Sequence, residues 1–230
     1  MMRIIFVLFF CFFSLFSQAS VIVYGTRVVY NSNDKSINVE LQNEGIKPSL
    51  VQVWIEDEKK NTKVPFIISP PVSRIEPNNR QTLRISYTGE SLPKDRETLF
   101  YFNMFDVPPK PSENELTSPS YLQFAVNSKL KLFFRPNNLS MTVSEAREKV
   151  EWDLDGKYIV ANNVTPYYIT YSSILVKQGN RTYKAKNADM IPPFSKMRFQ
   201  MDTTVKGSAQ VEWNIIDDFG AHREGVSSIN

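Results

Sequence analysis

Apolar and polar residues alternate along much of this 230-residue chain. The alternation is clearest at residues 37–41, 51–55 and 83–87, and a period of two is typical of half-buried β-strands. Turn-forming Asn, Asp, Ser, Gly and Pro residues cluster between these segments. We predict strands at residues 21–30, 36–42, 49–57, 64–68, 80–88, 97–106 and 121–135. Short strands at this spacing are typical of an immunoglobulin-like β-sandwich.

The strand pattern is interrupted by Pro-Asn-Asn at residues 136–138 and then resumes. In the second half we predict strands at residues 150–152, 158–162, 167–177, 196–201 and 209–216. Helical periodicity is weak, and its best stretch, residues 143–150, is short. We therefore predict an all-β protein made of two immunoglobulin-like β-sandwich domains, at residues 20–136 and 140–230.

The first 19 residues differ in character from the rest of the chain. Arg3 precedes an apolar run at residues 4–16 in which only Ser14 is polar, and small residues follow at Ser17 and Ala19. This order is typical of a secretory signal peptide, and the run is shorter than the roughly 20 apolar residues that span a bilayer. We predict a signal peptide at residues 1–19, export, and no membrane insertion. The only cysteine, Cys11, would leave with it, so the exported domains would fold without a disulfide.

The composition removes most kinds of chemistry. With 27 basic and 24 acidic residues the net charge is +3, which gives no electrostatic footprint for nucleic acid. One histidine and one cysteine leave almost no material for zinc sites or nucleophilic triads, and the glycines do not form a phosphate-binding loop. Asp217 and Asp218 are adjacent, so in a strand they would point to opposite faces rather than share a metal ion. We predict no enzymatic activity, no cofactor and no metal.

One segment, residues 121–135, is unusual on physical grounds. Fifteen residues without glycine or proline place apolar side chains at nearly every even position and mainly polar or basic ones at odd positions. In extended form this run is roughly 50 Å long, well beyond a typical strand. It is either a bent strand that serves two sheets or a strand whose apolar ridge overhangs its own core and binds a partner.

The chain resembles the periplasmic pilus-assembly chaperones of the chaperone–usher pathway. The longest matching motif is LPKDRETLFYFNMFDVPP at residues 92–109, and KLKLFFRP at residues 129–136 matches as well. Further matching segments lie at residues 25–30, 69–72, 75–77, 163–169 and 217–220. The resemblance implies a boomerang arrangement of the two domains, a periplasmic location, and two partners: pilin subunits and an outer-membrane usher.

The resemblance also assigns roles to individual residues. Arg27 and Lys131 match the two basic residues that, in this family, anchor the C-terminal carboxylate of the pilus subunit in the cleft between the domains. Leu122, Phe124 and Val126 match the alternating residues of the donor strand, which fills the groove left by the subunit's missing strand. A terminal carboxylate can accept from a guanidinium and an ammonium together, so the first assignment is chemically reasonable.

A second set of matched residues carries complementary charge. Glu97, Arg135 and Asp218 match positions that form interdomain ion pairs and hold the two domains at a fixed angle. The loop of eleven residues between Pro109 and Tyr121, together with an exported chain free of cysteine, resembles the short-loop branch of the family.

Two other kinds of protein fit parts of the pattern. One alternative is a secreted adhesion or pilin-like structural subunit with an immunoglobulin fold, although such subunits are single incomplete domains and typically carry a disulfide. The other is a carbohydrate-processing or carbohydrate-binding sandwich that stacks sugars on Trp54, Trp152 or Trp213, although core packing is the more common role of a tryptophan in an alternating strand. The sequence leaves open whether the free chaperone covers its ridge by self-association.

Overall fold

Two β-sandwiches, each with its own apolar core, make up the protein. The computed structural model describes residues 21–110, 124–205 and 207–229. The predicted signal peptide, Leu122 and the loop that suggests the short-loop branch lie outside these residues. The fold class predicted from the alternation, all-β with two sandwiches, is confirmed.

The described residues of the first domain form nine strands in two sheets. They are β1 (Val21–Val23), β2 (Arg27–Asn31), β3 (Ile37–Asn43), β4 (Ser49–Glu56), β5 (Phe66–Ser69), β6 (Val72–Ile75), β7 (Arg80–Tyr87), β8 (Thr98–Val107) and β9 (Val126–Arg135). One sheet has the order β1-β3-β7-β5, and the other has the order β2-β9-β8-β4-β6. Alternate side chains of both sheets point inward, which is why period-two segments form this core.

Aromatic rings fill the part of this core around the end of β9. Tyr30 is fully buried, and its ring lies 5.5 Å from that of Phe66 in an edge-to-face arrangement. The rings of Tyr87 and Phe134 are 4.6 Å apart, and Tyr30 also stacks on Phe134. Because Phe134 belongs to β9, this aromatic cluster fixes the C-terminal end of that strand in the core.

The second domain is a smaller sandwich preceded by one short helix. Its elements are α1 (Val143–Glu148), β10 (Glu151–Asp155), β11 (Tyr158–Asn163), β12 (Ile169–Gln178), β13 (Arg181–Lys184), β14 (Met190–Ile191), β15 (Ser195–Gln200), β16 (Gln210–Ile216) and β17 (His222–Ser228). One sheet has the order β10-β11-β15; the other has the order β13-β12-β16-β17, with β14 paired to β12. The core of this domain shares no residue with the first core.

The structure corrects several of the predicted elements. The single strand predicted at residues 21–30 is wrong: β1 and β2 belong to different sheets, and Gly25, with a φ of +106°, lies where the chain crosses between them. Four further strands were not predicted. Strands β6 and β14 are very short, and β13 and β17 are largely exposed edge strands with few apolar side chains. The helix α1 forms despite its weak periodicity because Thr142 and Glu145 make a capping box.

Each domain contains a buried asparagine that pins a loop to the core. The Asn43 side-chain amide donates to the carbonyl groups of Lys47 and Ile75, each at 2.9 Å. The Asn163 amide likewise donates to the carbonyl groups of Tyr167 and Pro192, each at 2.8 Å. Buried carbonyl groups need such donors, so each asparagine joins two distant segments of its sandwich.

We expect Asn163→Ala to lower the free energy of unfolding by about 1–3 kcal/mol, because two buried carbonyl groups lose their donors. Urea or thermal denaturation followed by circular dichroism measures the change. Asn162→Ala is the matched control, since the neighbouring side chain donates to Glu151 at an exposed position. Equal losses in the two variants would contradict the role assigned to Asn163.

Candidate functional site: a basic pair, an interdomain ion-pair network and an open strand edge

Two basic residues meet at the start of β2. β2 runs parallel to β9, and the register places Arg27 directly opposite Lys131. Arg27 Nη1 donates to the carbonyl oxygen of Ile216 in the second domain, at 2.9 Å. Its Nε is buried and has no hydrogen-bond partner among the described residues. A buried guanidinium nitrogen without a partner is costly, so this end of the arginine is suited to an acceptor from outside the chain.

The charges of this basic pair are held in an unfavourable environment. Burial lowers the pKa of Lys131, and the positive charge of Arg27 lowers it further. Burial also lowers the pKa of Arg27, against the opposing effect of Asp218, Asp217 and Glu97. An anion placed between the two side chains would offset both the desolvation and the mutual repulsion.

A second arginine on β9 joins the two domains. Arg135 Nη1 and Nη2 donate to the two carboxylate oxygens of Asp218, at 2.8 and 3.1 Å. Arg135 Nε donates to Glu97 Oε1 at 2.7 Å. Burial opposes the charge of Arg135, but the hydrogen bonds and charges of Asp218 and Glu97 outweigh it and raise the pKa of the guanidinium. The three predicted ion-pair residues therefore lie in one network between the domains.

Backbone contacts reinforce this network at Glu97. Its carboxylate Oε2 accepts from the backbone N–H of Tyr168 at 2.9 Å, and its own N–H donates to the carbonyl of Pro166 at 2.9 Å. Burial raises the pKa of Glu97, while Arg135 and the Tyr168 N–H act in the opposite direction. The ring of Phe133 lies 5.5 Å from that of Tyr168, which adds an apolar contact across the same junction. Sequence reasoning missed Pro166 and Tyr168, because backbone acceptors and donors leave no mark in residue type.

The apolar ridge divides along its length into a buried half and an exposed half. Leu132 is fully buried, whereas Val126 is 47% exposed and Phe124 is 67% exposed. Strand β9 begins at Val126, and Phe124 and Ala125 ahead of it are not in a strand, so the strand predicted at residues 121–135 is interrupted there. The described part of the segment belongs to one sheet and does not serve two. Phe124 and Ala125 are described just ahead of the strand, and Leu122 lies outside the described residues.

The exposed half of the ridge coincides with an open strand edge. One edge of β9 pairs with β8 over nearly its whole length, from Val126 to Phe134. The other edge pairs with β2 only from Lys131 to Arg135. Within the described ranges 21–110, 124–205 and 207–229, no strand pairs with that second edge at residues 126–130. An apolar strand with an unpaired edge is a template for another chain.

The other residues considered from the sequence, the tryptophans and Asp217, take part in core packing or in local hydrogen bonds. Trp152 and Trp213 are buried in the second core, and Trp54 donates its Nε1 hydrogen to Glu56 at 3.1 Å. Asp217 is buried and bonds to its own loop and to Arg223, so it does not face the same partner as Asp218. In the part of the chain that the structure describes, no cluster of three or more potential metal ligands occurs. None of the described helices is long and apolar enough to cross a membrane.

Comparison with known proteins places these features in a family. Residues 20–140 match the family described as pili and flagellar-assembly chaperone, PapD N-terminal domain, and residues 145–227 match the PapD C-terminal domain of pili assembly chaperones. The chaperone protein HifB of Haemophilus influenzae is 42% identical over 222 residues, which cover 94% of this chain and 89% of that protein.

Solved structures show the same two-domain arrangement. The YadV chaperone of Escherichia coli has a TM-score of 0.80 and 37% identity, and the match covers 92% of this chain and 100% of that one. A second similar structure is that of the Salmonella enterica SafA pilin in complex with the SafB chaperone. It has a TM-score of 0.78 and 28% identity, and the match covers 91% of this chain and 96% of that one.

We expect Arg135→Ala to destabilise the protein by about 3–5 kcal/mol, because the buried carboxylate of Glu97 and the carboxylate of Asp218 both lose their ion-pair partner. Differential scanning calorimetry measures the loss, which should appear as a lower melting temperature or as two separate transitions. Lys59→Ala, an exposed change in a loop of the first domain, is the control and should leave the melting curve unchanged. Equal melting temperatures for both variants would show that the ion-pair network does not hold the domains together.

Proposed function

The chain belongs to the family of PapD-type pili-assembly chaperones, and we propose that it captures pilin subunits by lending them the exposed half of β9. In this proposal the subunit adds a strand to the open edge of β9 and places its C-terminal carboxylate between Arg27 and Lys131. The chaperone then delivers the subunit to an outer-membrane usher. The single observation that carries the proposal is the open edge at residues 126–130, which ends at this basic pair.

The geometry of β2 explains why a carboxyl terminus would arrive at this point. β2 is parallel to β9 and begins at Arg27, opposite Lys131. A guest strand that is parallel to β9 and pairs with residues 126–130 would lie in line with β2 and run toward its first residue. The last residue of that guest strand would therefore end beside Arg27 and Lys131. Strand addition of this kind supplies main-chain hydrogen bonds along the whole edge.

The chemistry of the basic pair suits a terminal carboxylate. Arg27 has a buried Nε without a described partner, and Lys131 has a pKa lowered by burial and by Arg27. A carboxylate has two oxygens that accept hydrogen bonds from a guanidinium and an ammonium together. Its negative charge would also relieve the repulsion between the two cations, so binding would raise the pKa of Lys131 toward its ordinary value.

The apolar side chains of the ridge supply the second part of the interaction. Phe124 and Val126 project from alternate positions and are exposed, and the predicted donor strand adds Leu122. A pilin that lacks its last strand has a groove that exposes its own core, and alternate side chains can fill the pockets of that groove. Burial of each such side chain is worth about 1.5–3 kcal/mol, so two or three of them can dominate the affinity.

The interdomain ion-pair network supports this function by holding the two domains beside the basic pair. The basic pair draws on both domains, because Arg27 is bonded to Ile216 of the second domain. Arg135, Glu97 and Asp218 hold the domains close beside that contact. A fixed interdomain angle keeps the anchor in position before the subunit arrives, which lowers the entropy lost on binding.

The alternative interpretations are not favoured. The relatives named above are chaperones, and the described residues form two sandwiches with separate cores rather than one domain. The family consists of chaperones that assemble fimbriae without enzymatic chemistry, which agrees with the absence of a catalytic motif in the sequence.

We assign this chain to the periplasm on the predicted signal peptide at residues 1–19 and on the location of the family. The domain limits at residues 20–136 and 140–230 stay predictions.

We expect Arg27→Ala and Lys131→Ala each to give a folded chaperone that binds pilin at least about thirtyfold more weakly. Loss of one partner from a desolvated charge pair costs about 2–5 kcal/mol, which supports that estimate. Co-purification of a pilin from the same gene cluster after periplasmic co-expression measures the loss. Arg181→Ala, on an exposed edge strand of the second domain, is the control and should retain the pilin. Normal co-purification by both cleft variants would refute the carboxylate anchor.

We expect Phe124→Glu to abolish pilin capture and leave the chaperone folded, whereas Leu132→Glu unfolds the first domain. Both positions lie on the same face of the segment, but Phe124 is 67% exposed and Leu132 is completely buried. An unpaired carboxylate buried at Leu132 would carry a large desolvation cost, which the exposed site does not impose. Circular dichroism melts and the same co-purification separate the two effects. If Phe124→Glu also unfolds the protein, the ridge is ordinary core and the donor-strand role fails.

A further inference from the structure

A phenyl ring in the second domain is almost completely exposed beside the cleft. Phe219 lies in the loop between β16 and β17 and is 90% exposed, more than any other described large apolar residue. Single exposed apolar residues are common and need no explanation by themselves. Two features distinguish this ring: the rigidity of its loop and its position.

The loop that carries Phe219 is held by a dense set of hydrogen bonds. Asp217 Oδ1 accepts from the backbone N–H groups of Phe219 and Ala221, at 3.0 and 2.9 Å. The main chain closes on itself as well, because Gly220 N–H donates to the Asp217 carbonyl and Asp217 N–H donates to the Ala221 carbonyl. Arg223 completes the arrangement by donating to Asp217 Oδ2 at 2.9 Å. A ring on such a loop loses little backbone freedom when a partner covers it.

The same loop is seated against the end of the open strand edge. A Cβ atom at Gly220 would come within 2.6 Å of Thr26 Oγ1, so the loop backbone lies directly on the residue that precedes Arg27. Asp218, the neighbour of Phe219, is bound to Arg135 of β9. Ile216, at the end of β16, accepts from Arg27. The loop therefore closes the place where a guest strand in line with β2 would finish.

We propose that Phe219 is a second contact for the bound pilin subunit and packs on an apolar side chain close to the subunit's C-terminal carboxylate. The inference rests on the proposed function and extends it: the basic pair recognises the terminal charge, which every chain has, and Phe219 recognises a side chain beside it. The chaperone thereby favours subunits whose last few residues include a large apolar or aromatic side chain. Aromatic residues often carry a large share of the binding energy of an interface, which fits this role.

The test uses the full chaperone co-expressed with a pilin from the same gene cluster. The purified complex is mixed with an excess of tagged parent chaperone, and the rate of subunit release is measured. We expect Phe219→Ala to speed release about tenfold, because changes within one interface act mainly on dissociation. Phe219→Tyr should restore the parent rate. Ile67→Ala, at an apolar residue of β5 that is 60% exposed and lies in the first-domain sheet without β9, should have no effect.

A double-mutant cycle identifies the contact on the subunit. Alanine is placed at each of the subunit's last three residues in turn, and one of these changes should remove most of the effect of Phe219→Ala. Additive effects at all three residues would overturn the inference. The inference would also be overturned if Phe219→Ala released the subunit at the parent rate but assembled fewer pili, since the ring would then contact another partner.

Arg27→Ala separates failure of this inference from failure of the proposed function. If Arg27→Ala speeds release and Phe219→Ala does not, the carboxylate anchor stands and the role of Phe219 is wrong. If Arg27→Ala has no effect on release, the proposed function fails and the inference fails with it. Unchanged melting temperatures in the Phe219 variants are expected in either case, because the ring has almost no contacts in the free protein.

Discussion

The pairing of β2 with β9 stops at Arg27 and Lys131, and the chemistry of the cleft depends on where it stops. Beyond this point β9 continues with one edge open among the described residues, and the open length carries the exposed half of the apolar ridge. A shorter open edge would leave no room for a guest strand. A longer one would separate the basic pair from the second domain, whose Ile216 carbonyl holds Arg27 in place.

The stability of the two sandwiches makes such an exposed edge tolerable. Strand β9 is fixed at its C-terminal end by the aromatic cluster around Phe134 and by the ion pairs of Arg135. Its N-terminal end pairs with β8 and is joined to β4 by the ion pair of Lys129 with Glu56, while its other backbone edge has no partner strand among the described residues. One strand therefore has a rigid half that belongs to the fold and a half that is free to enter another protein. Because the chain has one cysteine, no disulfide can form within it, and this division relies on core packing and on buried polar groups such as Asn43 and Asn163.

The sequence predicts the fold class well and the site only through family resemblance. Alternation of apolar residues locates most strands of both cores, but it overlooks β17, where exposed side chains obscure the pattern. It also joins β1 and β2 into one strand, because a change of sheet at Gly25 leaves the apolar pattern intact. The neighbourhood of Arg27 and Lys131, 104 positions apart in the sequence, follows from parallel pairing that no local pattern encodes. The contacts of Pro166 and Tyr168 with Glu97 involve backbone atoms and could not be found from residue types at all.

The anchor and the ridge depend on each other through strand register. Side chains of a strand alternate between its faces, so a shift of one residue would turn every guest side chain to the wrong face. Phe124 and Lys131 are seven residues apart, which is about 23 Å in an extended chain. Apolar contacts along this length are similar from one register to the next and would specify the alignment weakly. A terminal carboxylate held at Arg27 and Lys131 fixes one end of the guest strand, and every contact along the ridge then follows from that one position.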